Sequence, residues 1–294
     1  MASKVYFTKT ITPEKVVEMF KILNKDLPGK VGLKIHSGEK GNFNFIKPDF
    51  LKPILEHVKG TVIECNTAYP GERNETEKHL KVLEEHGWNT LGKIDLMDAE
   101  GPDEHVKIEN GILLKENYLG KNIKNYDSSL VIIHFKGHIC GGFGGALKQL
   151  SIGFGSTAGK ALQHSGGKTT DKTECWKCHC TDKEFKEAMA DAASTVIKHF
   201  KGNLAYVAIM KNISIDCDCD KSPHKPCMPD IGILSSTDPV ALDKACLDLI
   251  YKSEEPGKKE LIERIESKLG PYILDCAEKL GLGKKEYKLI DVDK

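Results

Sequence analysis

Five apolar segments rich in β-branched residues recur along the chain and constrain its fold more than any other feature. Each has the length of a strand, and they occupy residues 31–35, 61–65, 130–133, 204–209 and 231–234. Continuous apolar runs of this length are typical of strands buried on both faces, as in parallel sheets. Helical patterns lie between them, at residues 48–59, 74–86, 182–200 and 239–250, and another begins at Pro13. The alternation predicts an α/β fold with largely parallel sheets flanked by helices.

The organisation of the chain is predicted from the places where this periodicity stops. Residues 153–181 are rich in Gly, Thr, Lys and His and show no periodicity, so we expect a long functional loop there. Asp127, Ser128 and Ser129 precede a strong strand and suggest a boundary near residue 128. This boundary divides the chain into an N-terminal α/β lobe (1–128) and a C-terminal α/β lobe (129–294).

Composition and charge exclude several classes of partner. The 294 residues include 43 basic and 43 acidic side chains, and a nucleic-acid-binding protein normally carries a basic excess, so we expect no nucleic-acid partner. No segment approaches the roughly 18 apolar residues of a membrane-spanning helix, so we expect no membrane partner either. The N-terminus leads directly into a strand-like segment without the apolar core of a signal peptide, which predicts a cytoplasmic protein.

Six of the ten cysteines lie within 53 positions of the chain. They are Cys175, Cys178, Cys180, Cys217, Cys219 and Cys227. Disulfides are rare in a reducing compartment, whereas closely spaced thiolates bind zinc, cuprous copper or iron–sulfur clusters. We therefore predict that these six hold a metal, with His164, His179 and His224 as possible further ligands. The other four are expected to be free thiols: Cys65, Cys140, Cys246 and Cys276.

A glycine-rich segment follows the third apolar run. Its glycines would let the backbone approach a ligand closely, and they are Gly141, Gly142, Gly144 and Gly145. A helix that begins near residue 145 would offer free N–H groups to an anion. Lys136, His138 and Lys148 would surround that site with cationic or proton-transferring groups. The segment predicts binding of a small anionic substrate or cofactor, and a tight turn that needs glycine for backbone reasons is the alternative.

Several motifs along residues 5–248 together resemble the domain of unknown function 362 family, particularly its branch of iron–sulfur centre proteins. The landmarks lie at residues 34–39, 66–73, 135–148, 159–165, 217–219 and 230–241. His36 and Arg73 belong to the first two landmarks and are candidates for cofactor binding. Arg73 could clamp a carboxylate or a phosphate, or it could form a solvated surface pair with Glu72.

The cysteine pattern departs from that of many members of the family. Those proteins carry a ferredoxin-like insert with cysteines for two four-iron clusters, whereas this chain has only Cys175, Cys178 and Cys180 in that region. The resemblance therefore implies at most one 4Fe–4S cluster, completed by Cys217, Cys219 or Cys227. Zinc remains the alternative.

A more distant resemblance is to lactate-racemase-like enzymes that carry a nickel-pincer cofactor. His138, Lys148 and His164 repeat the order and the kind of spacing found in those enzymes. There the lysine anchors the cofactor, and the histidines ligate nickel or move protons. The resemblance implies a two-domain α/β enzyme with a cleft between two packed lobes, in which His138 is the acid/base and Lys148 the anchor.

Three functions are consistent with these observations. The favoured one is a redox enzyme or electron-transfer protein with one iron–sulfur cluster, a small anionic ligand and a redox partner protein. The second is a non-redox metalloenzyme of the racemase or proton-transfer type, with nickel, an organometallic cofactor or a Lewis-acid metal. The third is a zinc-stabilised binding protein without catalysis. The predicted catalytic residues are His138, Lys148, His164 and Lys136.

Overall fold

The computed structural model describes residues 2–101 and 103–294, and its centre is one eight-stranded sheet with the strand order β12-β1-β11-β10-β7-β2-β3-β4. These strands are β1 (Ser3–Thr8), β2 (Val31–Lys34), β3 (Thr61–Glu64), β4 (Asp95–Leu96), β7 (Ser128–His134), β10 (Leu204–Met210), β11 (Gly232–Ser236) and β12 (Tyr287–Asp291). Two hairpins lie outside this sheet: β5 (Glu104–Lys107) with β6 (Glu116–Leu119), and β8 (Lys136–His138) with β9 (Gly142–Gly144). Within the described residues, five of the seven neighbouring pairs in the large sheet are parallel. The predicted α/β fold with a largely parallel sheet is confirmed.

Helices cover both faces of this sheet. They are α1 (Pro13–Lys21), α2 (Pro48–Val58), α3 (Thr76–Glu85), α4 (Ala146–Lys148), α5 (Thr157–His164), α6 (Asp182–Phe200), α7 (Pro239–Lys252), α8 (Lys258–Ser267) and α9 (Tyr272–Lys279). Alternate residues of β7 point to the two faces of the sheet, because successive side chains of a strand point in opposite directions. Leu130 and Ile132 pack with α1 and α2, whereas Val131 and Ile133 pack with α6 and α7. Both faces of β7 are therefore buried, as its apolar sequence requires.

Two local predictions differ from the structure. β11 runs antiparallel to both β1 and β10, although its apolar sequence resembles that of the parallel strands. The segment 153–181 is not a continuous loop, because α5 forms within it and Ser156 caps that helix by accepting a hydrogen bond from the Gly159 N–H. The many polar residues and glycines of this segment concealed the helix.

The large sheet continues across the predicted boundary at residue 128. β7 begins at that residue and pairs with β2 on one side and with β10 on the other. The segments 1–128 and 129–294 therefore both contribute strands to one sheet. Their division into two lobes stays a prediction. No helix in the described part of the chain is both long and apolar enough to cross a lipid bilayer.

The parallel strands place several polar side chains at one edge of the sheet. His36 follows β2, Glu64 ends β3, and the β8–β9 hairpin that carries His138 follows β7. In open α/β sheets, ligands bind outside the carboxyl ends of the strands, where such residues converge.

Candidate metal centre and its cavity

A cavity of about 380 Å³ opens at this edge of the sheet. Seven of the predicted site residues line it: His36, Arg73, His138, Lys148, His164, Cys217 and Cys219. They come from both sides of residue 128, so tertiary folding brings together positions up to 183 residues apart. The cavity is the candidate functional site.

His138, Cys217 and Cys219 form a compact group with the chemistry of a metal centre. One potential ligand atom from each, a ring nitrogen and two sulfurs, lies within 4.8 Å of the other two. Among residues 2–101 and 103–294, this is the one group of at least three His, Cys, Asp or Glu side chains that meets this distance. Thiolate and imidazole are the ligands of zinc and of softer transition metals, so the donor set suits such an ion.

The orientation of His138 is set by the turn that follows it. Its Nδ1 accepts hydrogen bonds from the backbone N–H groups of Cys140, at 3.1 Å, and Gly141, at 2.8 Å. Its Nε2 therefore points to the cysteines and lies 3.9 Å from the Cys219 Sγ. A metal at this position would bind at Nε2, the ring nitrogen that faces the cysteines, with His138 as a neutral imidazole.

Gly137 explains how the histidine strand can approach the cysteine loop. Its N–H donates to the Ser214 carbonyl oxygen at 2.9 Å. A Cβ at this position would lie 1.9 Å from the Ile215 carbonyl oxygen, so no larger residue fits without moving the backbone. This close approach puts His138 beside Cys217.

Asp218 connects the cysteine loop, residues 217–219, to β7 and to the β8–β9 hairpin. Its buried Oδ2 accepts hydrogen bonds from His134 Nδ1 at 2.8 Å and from Lys136 Nζ at 2.7 Å. Burial alone would raise the pKa of the Asp218 carboxyl, but the charges of His134 and Lys136 outweigh it and hold that pKa well below its usual range. Lys136, predicted to be catalytic, is therefore engaged in a buried ion pair.

The two thiols of the group titrate very differently. Burial opposes ionisation of Cys217, but a hydrogen bond from Cys219 and the nearby charge of Lys148 lower the Cys217 pKa well below the ordinary value. The same hydrogen bond raises the pKa of Cys219 well above the ordinary value. These opposite shifts favour ionisation of Cys217 over that of Cys219, and a metal cation would stabilise both sulfurs as thiolates.

Arg73 is buried and is not the solvated partner of Glu72. It is 2% exposed, and its Nη1 and Nη2 donate to Ser37 Oγ at 3.1 Å and to Tyr69 OH at 2.8 Å. Its Nε lies 3.5 Å from Glu39 Oε2. The surface-pair alternative is therefore wrong, and the guanidinium lies in the cavity wall.

Three neutral histidines complete the polar lining. Burial lowers the pKa of His36, that of His138 to about 4 and that of His164 to about 3. The His164 ring lies between Trp176 and Phe185, with centroids 4.7 Å from each. These rings can accept or donate hydrogen bonds near neutral pH without adding positive charge.

The structure does not bring all six predicted cysteine ligands together. Cys175, Cys178 and Cys180 lie in the segment 175–180, and among the described residues only Trp176 of that segment lines the cavity. Cys227 instead directs its thiol to the Ile213 carbonyl oxygen at 3.3 Å. Of the six predicted ligands, only Cys217 and Cys219 therefore line the cavity.

The glycine-rich segment forms the β8–β9 hairpin and the start of α4. Gly142 has a φ of +81°, and a Cβ there would meet Gly270 Cα at 2.8 Å. The N–H groups of Ala146 and Leu147, at the predicted anion site, donate to the Asp243 carboxylate at 2.6 and 3.0 Å. They are occupied within the protein, so the glycines shape the site rather than offer these two groups to a ligand.

Sequence reasoning missed Asp218, Asp243 and Lys160 as residues that build the site. Asp243 sits in a helical stretch of apolar residues, and a carboxylate that directly follows the apolar residues 239–242 is the signal that could have identified it. Asp218 lies between the two cysteines of a metal motif, where it was easily overlooked. Lys160 lines the cavity, and burial lowers its pKa.

Two solved structures align with most of this chain. The lactate racemase apoprotein from Thermoanaerobacterium thermosaccharolyticum is 10% identical with a TM-score of 0.49, and the alignment covers 83% of this chain and 56% of that one. A structural-genomics protein from Thermotoga maritima is 14% identical with a TM-score of 0.45, over 80% of this chain and 58% of that one. The chain thus spans less than two thirds of the length of either.

The comparison of sequences is more specific. No curated protein matches the chain. A family model matches residues 31–248, about three quarters of the chain, and confirms the resemblance carried by the motifs. The chain belongs to the domain of unknown function 362 (DUF362) family.

Proposed function

We propose that this protein is a metalloenzyme that binds one soft divalent metal ion through His138, Cys217 and Cys219 and acts on an organic anion in the adjoining cavity. The observation that carries the proposal is the convergence of these three donor atoms within 4.8 Å at the wall of that cavity. Three protein ligands leave a tetrahedral ion one open position, which is the arrangement of catalytic zinc sites. Nickel is the other candidate, because it too accepts sulfur and imidazole ligands.

The chain's own residues would position the anion and protect it from water. A metal ion in this site would supply Lewis acidity. Lys148 lies close enough to Cys217 to lower its pKa, and it supplies positive charge beside the metal ligands. His164, neutral because of its burial, would orient the anion by hydrogen bonding.

Cobalt titration tests this proposal directly, because thiolate ligation gives Co²⁺ a strong charge-transfer absorption. We expect the purified, metal-free protein to bind one Co²⁺ per chain, with that absorption. Cys217→Ser and Cys219→Ser should each weaken binding by at least about 100-fold, since each removes a ligand from a three-residue site. Cys178→Ser is the matched control and should bind like the wild type.

The iron–sulfur redox function is the second candidate. It is supported by the position of Trp176 in the cavity lining, because this residue follows Cys175 directly and precedes Cys178 by two positions. One 4Fe–4S cluster would then use the three thiolates of the segment 175–180 and a fourth from Cys217, Cys219 or Cys227, and electrons would reach it from a redox partner protein.

The same variants separate the two candidates. Anaerobically purified protein would contain iron and acid-labile sulfide if the cluster is present, and Cys178→Ser would abolish both. Zinc or nickel without sulfide, retained in Cys178→Ser and lost in Cys217→Ser, is the result expected for a single metal ion.

A further inference from the structure

The size of the cavity exceeds what a metal ion and a two- or three-carbon anion need. Its volume of about 380 Å³ lies in the range, roughly 300–1,000 Å³, in which proteins enclose drug-sized ligands. A ligand that fills it must carry a substantial group besides its acidic function.

One part of the lining selects negative charge. Of the three lining carboxylates, Glu64 pairs with Lys34 at 2.6 Å and Asp216 with Arg264 at 3.3 Å, whereas Asp220 accepts a hydrogen bond from the Ser222 N–H at 2.8 Å. Lys148 has neither an ion-pair nor a hydrogen-bond partner for its Nζ among residues 2–101 and 103–294, although it lines the cavity beside the metal ligands. A charged amine in such a place is stabilised by an anionic ligand.

Another part of the lining is apolar and exposed to solvent. Ile139 is 54% exposed and Trp176 is 42% exposed, and both belong to the cavity lining. The indole is held in place, because its N–H donates to the Ala68 carbonyl oxygen at 3.4 Å and its ring packs 4.7 Å from the His164 ring. A fixed aromatic surface at a cavity mouth offers a face on which a ring or a branched alkyl group can stack.

We infer that the ligand of this cavity is an amphipathic organic anion, with its acidic head at Lys148 and an aromatic or branched aliphatic group against Trp176 and Ile139. This inference rests on the proposed function for the role of the metal, but the two parts of the lining on which it depends are independent of the metal ligands. The inference predicts that simple short-chain acids bind this cavity weakly.

Calorimetric titration with three probes tests the inference: propanoate, 3-phenylpropanoate and the uncharged 3-phenylpropanamide. We expect 3-phenylpropanoate to bind the zinc-loaded protein at least about tenfold more tightly than either of the other probes. Trp176→Ala should remove about tenfold of the affinity for 3-phenylpropanoate and leave that for propanoate unchanged. Lys148→Met should weaken binding of both acids and leave the amide unaffected.

Phe43→Ala is the matched control, since Phe43 is a 53% exposed aromatic residue outside the cavity lining. Equal affinities for propanoate and 3-phenylpropanoate would overturn the inference, as would an equal loss in Phe43→Ala and Trp176→Ala. Ile139→Ala serves as a second test if Trp176→Ala does not fold.

Repeating the titrations on metal-free protein and measuring bound zinc separates this inference from the proposed function. If zinc does not bind but the phenyl group still adds affinity that Trp176→Ala removes, the proposed function fails and the ligand class stands. If zinc binds through Cys217 and the phenyl group adds nothing, the ligand class fails and the metal centre stands.

Discussion

The two cysteine-rich regions look alike in sequence but differ in what surrounds them. The loop 217–219 is held against the sheet by Asp218 and faces His138 across a close backbone contact at Gly137. In the segment 175–180, the sulfurs of Cys175 and Cys178 face backbone carbonyl oxygens of their own turn, at 3.5 and 3.6 Å.

The electrostatic difference between these regions is equally clear. Burial raises the pKa of both Cys175 and Cys180 to about 11, whereas neighbouring groups lower that of Cys217 well below 9. Spacing between cysteines therefore does not identify a metal ligand by itself. The nitrogen donor of His138, the positive charge of Lys148 and the hydrogen bonds that hold Asp218 in place distinguish the loop 217–219.

The largest effect is expected from Asp218→Asn, which removes the carboxylate that holds the loop in place. The change leaves Lys136 and His134 facing an amide in a buried site, and breaking a buried ion pair typically costs about 3–5 kcal/mol of stability. Urea denaturation measures this loss. Asp230→Asn is the control, because its pair with Lys211 is 37% exposed on both sides and should contribute only about 0–1 kcal/mol.

Gly137→Ala should separate the histidine strand from the cysteine loop. Its Cβ would lie 1.9 Å from a backbone oxygen, so the backbone must move, at a cost of about 1–3 kcal/mol. We expect cobalt affinity to fall by about 10–100-fold while the fold survives. Gly101→Ala, in open space, should change neither property. Unaltered cobalt affinity in Gly137→Ala would mean that the contact does not position the ligands.

Metal affinity should rise with pH, because binding displaces protons. Cys219 is the thiol whose pKa is raised by its hydrogen bond to Cys217, so its proton must leave when the sulfur ligates. The lowered pKa of Cys217 reduces the proton that this thiol contributes, and His138 ligates as a neutral imidazole, so about one proton should be released per metal ion near neutral pH. A pH-indicator dye in weak buffer measures this release.

The control for this measurement compares the two cysteine regions. Cys219→Ser should remove most of this proton release, since serine brings no ionisable thiol. Cys178→Ser should leave the number unchanged. A release that falls equally in both variants would assign the metal to both regions.

The smallest effect is expected from Thr181→Ala, at the helix that follows the segment 175–180. Thr181 and Glu184 form a capping box at the start of α6. Its loss should cost about 1 kcal/mol of stability, as for other N-caps, without changing cobalt affinity. Thr12→Ala, at the cap of α1, should cost a similar amount. If cobalt affinity falls in Thr181→Ala and not in Thr12→Ala, the segment 175–180 contributes to the metal site.

Much of the fold could be predicted because its signals are local. The apolar runs identified the strands β2, β3, β7 and β10, and Thr12 before Pro13 located the cap of α1. The antiparallel direction of β11 was missed, since the direction of a buried strand depends on the connection that precedes it and not on its own residues. The helix α5 was missed because its polar and glycine residues gave no apolar period.

The site could be predicted only in its parts. His138, Lys148, His164 and the pair Cys217 and Cys219 were identified from residue type and spacing, and all line the cavity. Their grouping was not, because Cys175, Cys178 and Cys180 satisfy the same spacing rule.

The sequence by itself determined which segments become strands and helices and which residues have the chemistry of a site. Propensity, periodicity and capping each depend on a few neighbouring residues, so they can be recognised in the sequence. Tertiary structure alone decided that a histidine of one hairpin meets two cysteines of a distant loop and that Asp243 occupies the N–H groups of α4. These outcomes depend on close packing between elements far apart in the chain, which no local pattern encodes.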